Sequence, residues 1–210
     1  MLDMSALDRV IADVEAERAT GDLLRERVKH VDRAQRIIAM RLSQAQAIPA
    51  AGLPAHLTDV SAHFGDLRSA IADVTAAVPD GQYYKWNDLW TWAVRQAVFS
   101  TCLVYFLGGG DLLPKEDVGE VLGMNMLASD RMMLSTDEYL HGVISMVNEL
   151  PRHAVNAVTA GDFAAPVRIA AFVKQVHGAF QVLNLKNDLL RKRFDGLKVR
   201  TMAAPSLTAV

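Results

Sequence analysis

The chain has 210 residues, with 22 basic and 24 acidic side chains and a formal net charge of −2, a length that fits one domain with its own buried core. Hydrophobic residues make up 51% of it and charged residues 22%, which excludes an intrinsically disordered chain. The near-neutral balance argues against a general nucleic-acid or membrane binder, because such proteins are usually strongly basic. Any polyanionic partner would therefore need a local basic patch.

Cys102 is the one cysteine of the chain and cannot form an internal disulfide, which predicts a reducing compartment. It lies in an apolar run, where a small buried thiol is expected. The first eight residues include two acids, where a secretory signal would need a basic region. The uncharged apolar run at residues 96–110 has 15 residues, fewer than the ~20 of a membrane helix. We therefore expect a protein that is neither secreted nor membrane-spanning.

Long helices are predicted from the first residues onward. No proline occurs before Pro49, and apolar residues recur at spacings of three and four, which predicts one long amphipathic helix that ends there. A second helix is predicted from Pro54 through Val74, because proline suits the first turn of a helix. The nearly unbroken apolar stretch from Gln82 to Leu107 predicts a central, surrounded helix that is ended by the glycines at 108–110.

Two further helices carry clear end signals. A short helix is predicted from Pro114 to Leu122, with Gly123 as its stop. Ser135 and Glu138 form the spacing of a capping box, which opens a fifth helix that runs to about Val158.

The last predicted helix is long, from about Pro166 to Phe194, with apolar residues at heptad spacing. The sequence shows no strand alternation, repeat or low-complexity region, so the predicted fold class is all-α. We expect a single domain over residues 1–198 and a disordered tail over residues 199–210.

Basic charge is concentrated in two segments. The segment from Arg18 to Arg41 has seven basic and three acidic residues, and the segment from Lys186 to Arg200 has six basic and two acidic residues. Each segment therefore carries a charge of +4, and the rest of the chain carries −10. A helical stripe of basic residues can bind phosphates independently of base sequence, although an isolated run of charge is more often a solvated helix face. The candidates are Arg25, Lys29, Arg33 and Arg36, which share one stripe, and Lys186, Arg191, Lys192, Arg193 and Lys198.

Aromatic residues surround a lysine where the central helix begins, in the run Tyr83, Tyr84, Lys85 and Trp86. Such an arrangement can stack the bases of a single strand, so Tyr84 and Lys85 join the nucleic-acid candidates. The alternative is that these rings belong to the hydrophobic core, which is the commoner use of aromatic side chains.

A row of polar residues marks one face of the fifth helix, where His141, Ser145, Glu149 and His153 recur every four residues. Glu149 with His153 resembles half of a metal site, but zinc needs three or four ligands and magnesium needs clustered carboxylates. We therefore predict no metal. Arg95 must find an anion if the central helix buries it, and Glu149 is the candidate. The sequence also lacks a phosphate-binding glycine loop, a nucleophile elbow and paired cysteines.

The segment from Leu183 to Lys198, LNLKNDLLRKRFDGLK, closely resembles the long C-terminal signature of the translin/Trax family. Three earlier segments resemble the same family in the same order: His63-Phe64-Gly65, Gln82-Tyr83-Tyr84 and the stretch from Val155 to Phe163. The resemblance extends from about Thr20 to Lys198, and it favours the translin branch of the family over the Trax branch.

This resemblance implies a bundle of six to seven long antiparallel helices that assembles into a hollow octamer and binds single-stranded RNA and DNA on its interior. With Trax as partner, such a subunit would form the endoribonuclease complex named component 3 promoter of RISC, which processes small RNA and tRNA fragments. Trax would supply the carboxylates that bind Mg²⁺, and the location would be cytoplasmic and nuclear. No cofactor is expected on this subunit.

The four positions that match the acidic site of Trax are Trp92, Arg95, Ser145 and Glu149, so three of four acids are absent. Because a two-metal-type cleavage needs several anionic ligands, we predict a degenerate, non-catalytic site in which Arg95 pairs with Glu149. One alternative is a homo-oligomeric, metal-dependent endoribonuclease that uses Glu149 and further carboxylates on single-stranded RNA. Another is a subunit that mainly stabilises a Trax partner.

The basic elements of the family are only partly retained. After the paired tyrosines, Lys85 is the one basic residue that remains of three, whereas Arg25 and Lys29 match the family's basic stretch in the first helix. After Lys198 the family continues into a further helix, which we expect to be missing here.

Overall fold

A computed structural model describes residues 4–124, 131–183 and 188–202 of the chain. Within these ranges the regular structure is helical and no strand occurs, which confirms the all-α fold class. Three short 3₁₀ turns join some of the helices. The α-helices are α1 (Met4–Gln44), α2 (Leu53–Ala62), α3 (Phe64–Ala77), α4 (Tyr83–Trp86), α5 (Thr91–Leu107), α6 (Lys115–Leu122), α7 (Thr136–Thr159), α8 (Ala164–Val182) and α9 (Asp188–Met202).

Helix α1 has two parts that differ in packing. Its side chains are exposed over residues 5–19, including Leu7, Val10, Ile11 and Val14. From Gly21 onward one stripe is buried in the core, as the spacing of apolar residues predicts. The members of that stripe are Leu24, Val28, Val31, Ile38 and Leu42.

The single helix predicted from Pro54 to Val74 is two helices, α2 and α3. The amide of His63 donates to the carbonyl of Val60, three residues back, at 3.1 Å, and this tighter bond closes the last turn of α2. Both helices run antiparallel to α1: Arg41 bonds Asp59 in α2 at 3.1 Å, and Arg27 bonds the carbonyl of Asp73 in α3 at 2.7 Å.

The predicted central helix is also divided. Helix α4 is followed by a 3₁₀ turn at Asn87–Leu89, where the amide of Trp90 donates to the carbonyl of Asn87 at 3.2 Å, and only then does α5 begin. Helix α4 sits directly on α1, because a Cβ added at Gly21 would lie 3.0 Å from Cζ3 of Trp86. Helix α5 is central as predicted: Cys102 within it and Trp90 just before it are fully buried.

Helices α5 and α7 form the most extensive helix pair and run in the same direction. Arg95 meets Asp137 near the start of both helices, and Val98 meets Gly142 one turn later. A Cβ at Gly142 would lie 2.4 Å from Cγ1 of Val98 and 3.0 Å from the backbone nitrogen of Phe99. The two backbones therefore approach closely at this glycine.

The end signals of α6 and α7 are confirmed. Gly123 closes α6 in the left-handed region, at φ 70°, where glycine is the favoured residue. At the start of α7, Ser135 accepts a bond from the amide of Glu138, and the Glu138 carboxylate accepts one from the amide of Ser135. Both halves of the capping box are present.

The last predicted helix is two helices, because α8 ends at Val182 and Leu183 is extended, at φ −72° and ψ 120°. Phe194 of α9 stacks on Phe180 and His177 of α8, with ring centroids 5.4 and 5.1 Å apart. A straight helix would separate positions 180 and 194 by about 21 Å, so the chain reverses between them. Helix α9 extends to Met202, and the rest of the predicted tail, residues 203–210, lies outside the described ranges. None of the helices described is long and apolar enough to cross a membrane.

Candidate nucleic-acid interface

The basic stripe of α1 is on the surface of the molecule. Arg25, Lys29, Arg33 and Arg36 are all exposed, as the spacing predicts. Arg25 pairs with Asp22 at 2.7 Å, and Lys29 pairs with Glu26, each three residues away on the same helix. Exposed pairs of this kind contribute only about 0–1 kcal/mol to stability. The acids can therefore be exchanged for phosphates at small cost.

The aromatic residues of α4 divide between the core and the surface. Tyr83 and Trp86 are buried, whereas Tyr84 is 81% exposed. Lys85 lies between them, with its Nζ 2.7 Å from Oε2 of Glu17 and 5.4 Å from the centroid of the Trp86 ring. Tyr83 and Trp86 therefore belong to the core, and base stacking by the exposed ring of Tyr84 stays a prediction.

Helix α4 packs on α1 where the basic stripe begins. At Gly21 the ring of Trp86 approaches α1, and Nη1 of Arg25 is 3.5 Å from the position that a Cβ would take. The ion pair of Lys85 with Glu17 joins the same two helices one turn earlier on α1. We call this surface the α1–α4 face; its members are Arg25, Lys29, Arg33, Arg36, Tyr84 and Lys85.

The prediction that Arg95 pairs with Glu149 is wrong. Nη2 of Arg95 donates to Oδ2 of Asp137 at 2.6 Å. The reason is the register of α5 and α7: Asp137 and Glu149 are twelve residues apart, which separates them by about 18 Å along a helix. Glu149 instead accepts a bond from Gln46 at 2.7 Å and pairs with Arg152.

Asp137 begins a chain of polar contacts that links α5, α7 and α9. Its Oδ2 lies 3.7 Å from Nε2 of His141, and Nδ1 of His141 lies 2.9 Å from Nη1 of Arg193. Because a guanidinium can only donate, Nδ1 is the acceptor, and the neutral imidazole carries its proton on Nε2. Burial lowers the pKa of His141, with Arg95 as the next contribution, which is consistent with this neutral form.

Arg193 was predicted to bind nucleic acid. It is exposed on α9, and its guanidinium also bonds two side chains of α7. Its Nη2 donates to Oγ of Ser145 at 2.8 Å, and the Ser145 hydroxyl donates to the carbonyl of His141 at 2.9 Å. Burial lowers the pKa of Arg193, and Arg95 lowers it further. We call Arg95, Asp137, His141, Ser145 and Arg193 the α5–α7–α9 cluster.

Of the remaining C-terminal candidates, two are exposed and two have side chains outside the described residues. Arg191 and Lys192 are exposed on α9. Lys186 lies outside the described residues, and so does the side chain of Lys198. The second basic segment thus contributes two exposed cations and one anchored cation to the part of the molecule that the structure describes.

The four positions that the sequence resemblance assigns to an acidic site do not fit a magnesium ion. Trp92 and Ser145 offer no carboxylate, Arg95 brings a positive charge, and the carboxylate of Glu149 already bonds Arg152. With His153, Glu149 lines a cavity of about 260 Å³ between α1, α5 and α7. Among the described residues no group of three His, Cys, Asp or Glu side chains could hold a metal.

Sequence reasoning missed two members of this region. Asp137 stands four residues before His141, so the four-residue row on α7 starts one step earlier than we placed it. Trp92 was assigned only to the degenerate acidic site, yet its side chain is 60% exposed. The spacing could have revealed Asp137, whereas the exposure of Trp92 depends on the break between α4 and α5.

Comparisons with known proteins agree on one family. A family model described as Translin family matches residues 20–201. Translin of Gallus gallus is 40% identical over 136 residues, which cover 65% of this chain but only 59% of that relative. Translins of Pongo abelii and Homo sapiens are each 30% identical over 198 residues, which cover 92% of this chain and 87% of theirs.

A solved structure also matches the whole described bundle. A chain from "Crystal structure of apo-NeC3PO" superposes with a TM-score of 0.63 at 13% identity, covering 97% of this chain and 94% of that chain. At that identity the match establishes a shared fold.

Proposed function

The chain belongs to the translin family, and from this premise we propose that it is a subunit that binds single-stranded RNA and DNA. In this proposal it assembles with further copies of itself and with a Trax-like partner into a closed, hollow octamer. The assembly processes small RNA and tRNA fragments and promotes RISC activation, in cytoplasm and nucleus. This subunit supplies nucleic-acid binding, and its partner supplies catalysis.

The observation that carries the proposal is the α1–α4 face. Tyr84 projects into solvent beside Lys85, and α4 is seated against the basic stripe of α1 next to Arg25. A groove with cations that follow the backbone and a ring that stacks a base is the usual solution for single strands. The net charge of −2 is compatible with it, because the basic segments can face inward and the acidic remainder outward.

The assignment of catalysis to a partner rests on donor chemistry. Mg²⁺ sites for RNA cleavage need clustered oxygen ligands. In this chain a guanidinium, an indole and a hydroxyl stand at three of the four matching positions. We therefore propose that this subunit takes no cofactor and that Mg²⁺ binds on the Trax-like subunit.

Binding is tested with a fluorescent single-stranded oligonucleotide, followed by anisotropy over a series of salt concentrations. Tyr84→Ala should weaken binding by about 5- to 150-fold, which corresponds to the 1–3 kcal/mol of one stacked base. Arg25→Gln should weaken it less and reduce the salt slope by about 0.7, the value for one phosphate contact on a single strand. The matched control is Arg27→Gln, since Arg27 is held on the carbonyl of Asp73 in α3. Equal binding by Tyr84→Ala, Arg25→Gln and Arg27→Gln would refute the α1–α4 face as the binding site.

Catalysis is tested with the purified chain, alone and with its Trax-like partner. We expect single-stranded RNA to remain intact when the chain alone is incubated with Mg²⁺ or Mn²⁺, and to be cleaved once the partner is added. Robust cleavage by the chain alone that EDTA and Glu149→Gln both abolish would instead establish the homo-oligomeric nuclease. Native mass measurements with and without the partner would give the assembly.

A further inference from the structure

We propose that the α5–α7–α9 cluster, together with Trp92, is a nucleotide subsite in which Arg193 and Arg95 bind a phosphate ester and Trp92 stacks the base. This inference rests on the proposed function, because it places one nucleotide of the bound strand. It assigns a binding role to the position where an acidic metal site would otherwise stand.

Arg193 is the cation that this subsite offers to an anion. Its described hydrogen bonds go to neutral groups, the imidazole of His141 and the hydroxyl of Ser145. A guanidinium has five N–H donors, and among the described residues these two bonds leave three of them without an acceptor. The carboxylates of the region face Arg95: Asp137 bonds it, and Arg95 acts to lower the pKa of Glu138, which burial raises. Positive charge is therefore least compensated at Arg193.

The guanidinium of Arg193 is also held in one orientation. His141 Nδ1 and Ser145 Oγ accept from its two terminal nitrogens at 2.9 and 2.8 Å. Ser145 is in turn fixed by its own bond to the carbonyl of His141 at 2.9 Å. A planar guanidinium that is already oriented loses less entropy when it binds two phosphate oxygens together. The cluster thus prepares Arg193 for bidentate binding.

Two buried donors of the cluster have no hydrogen-bond acceptor in the part of the chain that the structure describes. These are Nε of Arg95 and Nε2 of His141, and the His141 residue is only 1% exposed. The nearest carboxylate oxygen to Nε2, on Asp137, is 3.7 Å away, which is too long for a hydrogen bond. Buried donors are normally satisfied. They leave the polar network around Arg193 incomplete, and the exposed guanidinium of Arg193 is the part of this network that a phosphate can reach.

Trp92 supplies the stacking surface. It precedes Arg95 by three residues on α5, and side chains at this spacing are neighbours on one helix face, with Cβ atoms about 5–6 Å apart. Its side chain is 60% exposed, whereas Trp86 and Trp90, the other tryptophans, are 8% and 0% exposed. One nucleotide can therefore contact Trp92 with its base and the arginines with its phosphate.

Tryptophan fluorescence tests this subsite directly, because Trp92 is the exposed fluorophore. The probe is a single-stranded oligonucleotide that carries either a 5′-phosphate or a 5′-hydroxyl. Each form is titrated to saturation into the full chain, and inorganic phosphate is titrated in parallel. We expect the oligonucleotide to quench emission in the wild type and to leave Trp92→Leu unquenched. A requirement for the 5′-phosphate would identify a terminal phosphate as the ligand, and equal quenching by both strands would identify an internal phosphodiester. Inorganic phosphate alone should bind without quenching.

Variants of α9 separate this role from a structural one. Arg193→Gln should lose most of the quenching at saturation and reduce the salt slope of binding by about 0.7. Arg191→Gln, an exposed neighbour on the same helix, is the matched control and should keep the quenching. Ser145→Ala removes an anchor of Arg193 but leaves its charge, so it should keep the salt slope. Far-ultraviolet circular dichroism verifies that each variant is folded.

Several results would overturn the proposal. One is a strand that binds the wild type without changing its emission, which would refute the subsite and leave the proposed function standing. A second is equal quenching of Arg193→Gln and Arg191→Gln. A third is loss of the salt slope in Ser145→Ala to the same extent as in Arg193→Gln, which would reduce Arg193 to a structural anchor. If no single strand binds the wild type at all, the proposed function fails together with the subsite.

Discussion

The α1–α4 face contains arginines and an exposed aromatic ring, and so do the α5–α7–α9 cluster and Trp92 beside it, but the two regions hold the charge in different ways. On the α1–α4 face, Arg25 and Lys29 pair with acids of their own helix, and both partners of each pair are more than half exposed. In the cluster, Arg193 is anchored across helices on a buried imidazole and a hydroxyl. Salt and competing ions govern the first arrangement, whereas the packing of three helices governs the second.

The largest effect is expected from forcing α5 and α7 apart. Gly142→Ala would place a Cβ 2.4 Å from Cγ1 of Val98 and 3.0 Å from the backbone of Phe99. We expect a loss of about 3 kcal/mol in the free energy of unfolding, because overpacking a dense helix contact is costly. Urea denaturation followed by circular dichroism measures it.

Gly178→Ala is the matched control for that substitution. Gly178 lies within α8, and a Cβ there would have no atom within 4 Å. Alanine should stabilise this helix by about 0.5–1 kcal/mol through its higher helix propensity. Similar changes at both glycines would show that the close approach of α5 and α7 is not what holds the cluster together.

The next effect comes from the charge at the centre of the cluster. Asp137→Asn keeps the shape of the side chain but leaves Arg95 without the negative charge that it bonds at 2.6 Å. We expect a loss of about 2 kcal/mol in the free energy of unfolding, in the range for hydrogen bonds to charged groups. Asp22→Asn, which breaks the exposed pair with Arg25 on α1, should change stability by less than about 0.5 kcal/mol. Equal losses in the two variants would remove the distinction between the two regions.

The smallest effect concerns pH. Burial lowers the pKa of both His141 and His153, so near pH 6 the unfolded chain binds more protons than the folded one. The free energy of unfolding should therefore include the full contribution of these histidines above about pH 6.5, the pKa of histidine in the unfolded chain. It should fall as the pH decreases below that value. Each histidine contributes less than about 1.4 kcal/mol per pH unit. Burial raises the pKa of Glu138, so protonation of this carboxylate favours the folded state as the pH falls, opposite to the effect of the histidines.

His141→Asn tests this dependence, because an amide oxygen can replace Nδ1 as the acceptor for Arg193 but does not titrate. Urea unfolding at pH 7.5, 6.5 and 5.5 should show a shallower decline for the variant than for the wild type. Combining it with His153→Asn should flatten the decline further. An unchanged slope in the single variant would show that the imidazole of His141 is not a source of the pH dependence.

Much of the fold follows from local signals in the sequence. The predicted start of α7 and the predicted end of α6 are correct because Ser135, Glu138 and Gly123 act through contacts with residues only a few positions away. The breaks at His63, at Asn87–Leu89 and after Val182 were missed. Proline marks none of them, and the apolar spacing continues across each break, so only tertiary packing reveals that the chain turns there.

The candidate site shows the same division. The exposure of the α1 stripe could be predicted, because the spacing of Arg25 and Lys29 along one helix determines which face they share. The partner of Arg95 could not, because it depends on how far α5 is shifted along α7. The four-residue spacing places Asp137 and Glu149 in the same row on α7, but it does not show which of the two acids Arg95 meets.

The exposed first part of α1 depends on the packed part of the same helix to stay helical. Residues 5–19 extend over about 22 Å with side chains exposed throughout, and an isolated helix of that length is marginal in water because nucleation is costly. The packed turns from Gly21 onward provide the nucleus, so the helix grows outward from the core. Its outer turns can then open and re-form one after another while the core stays folded.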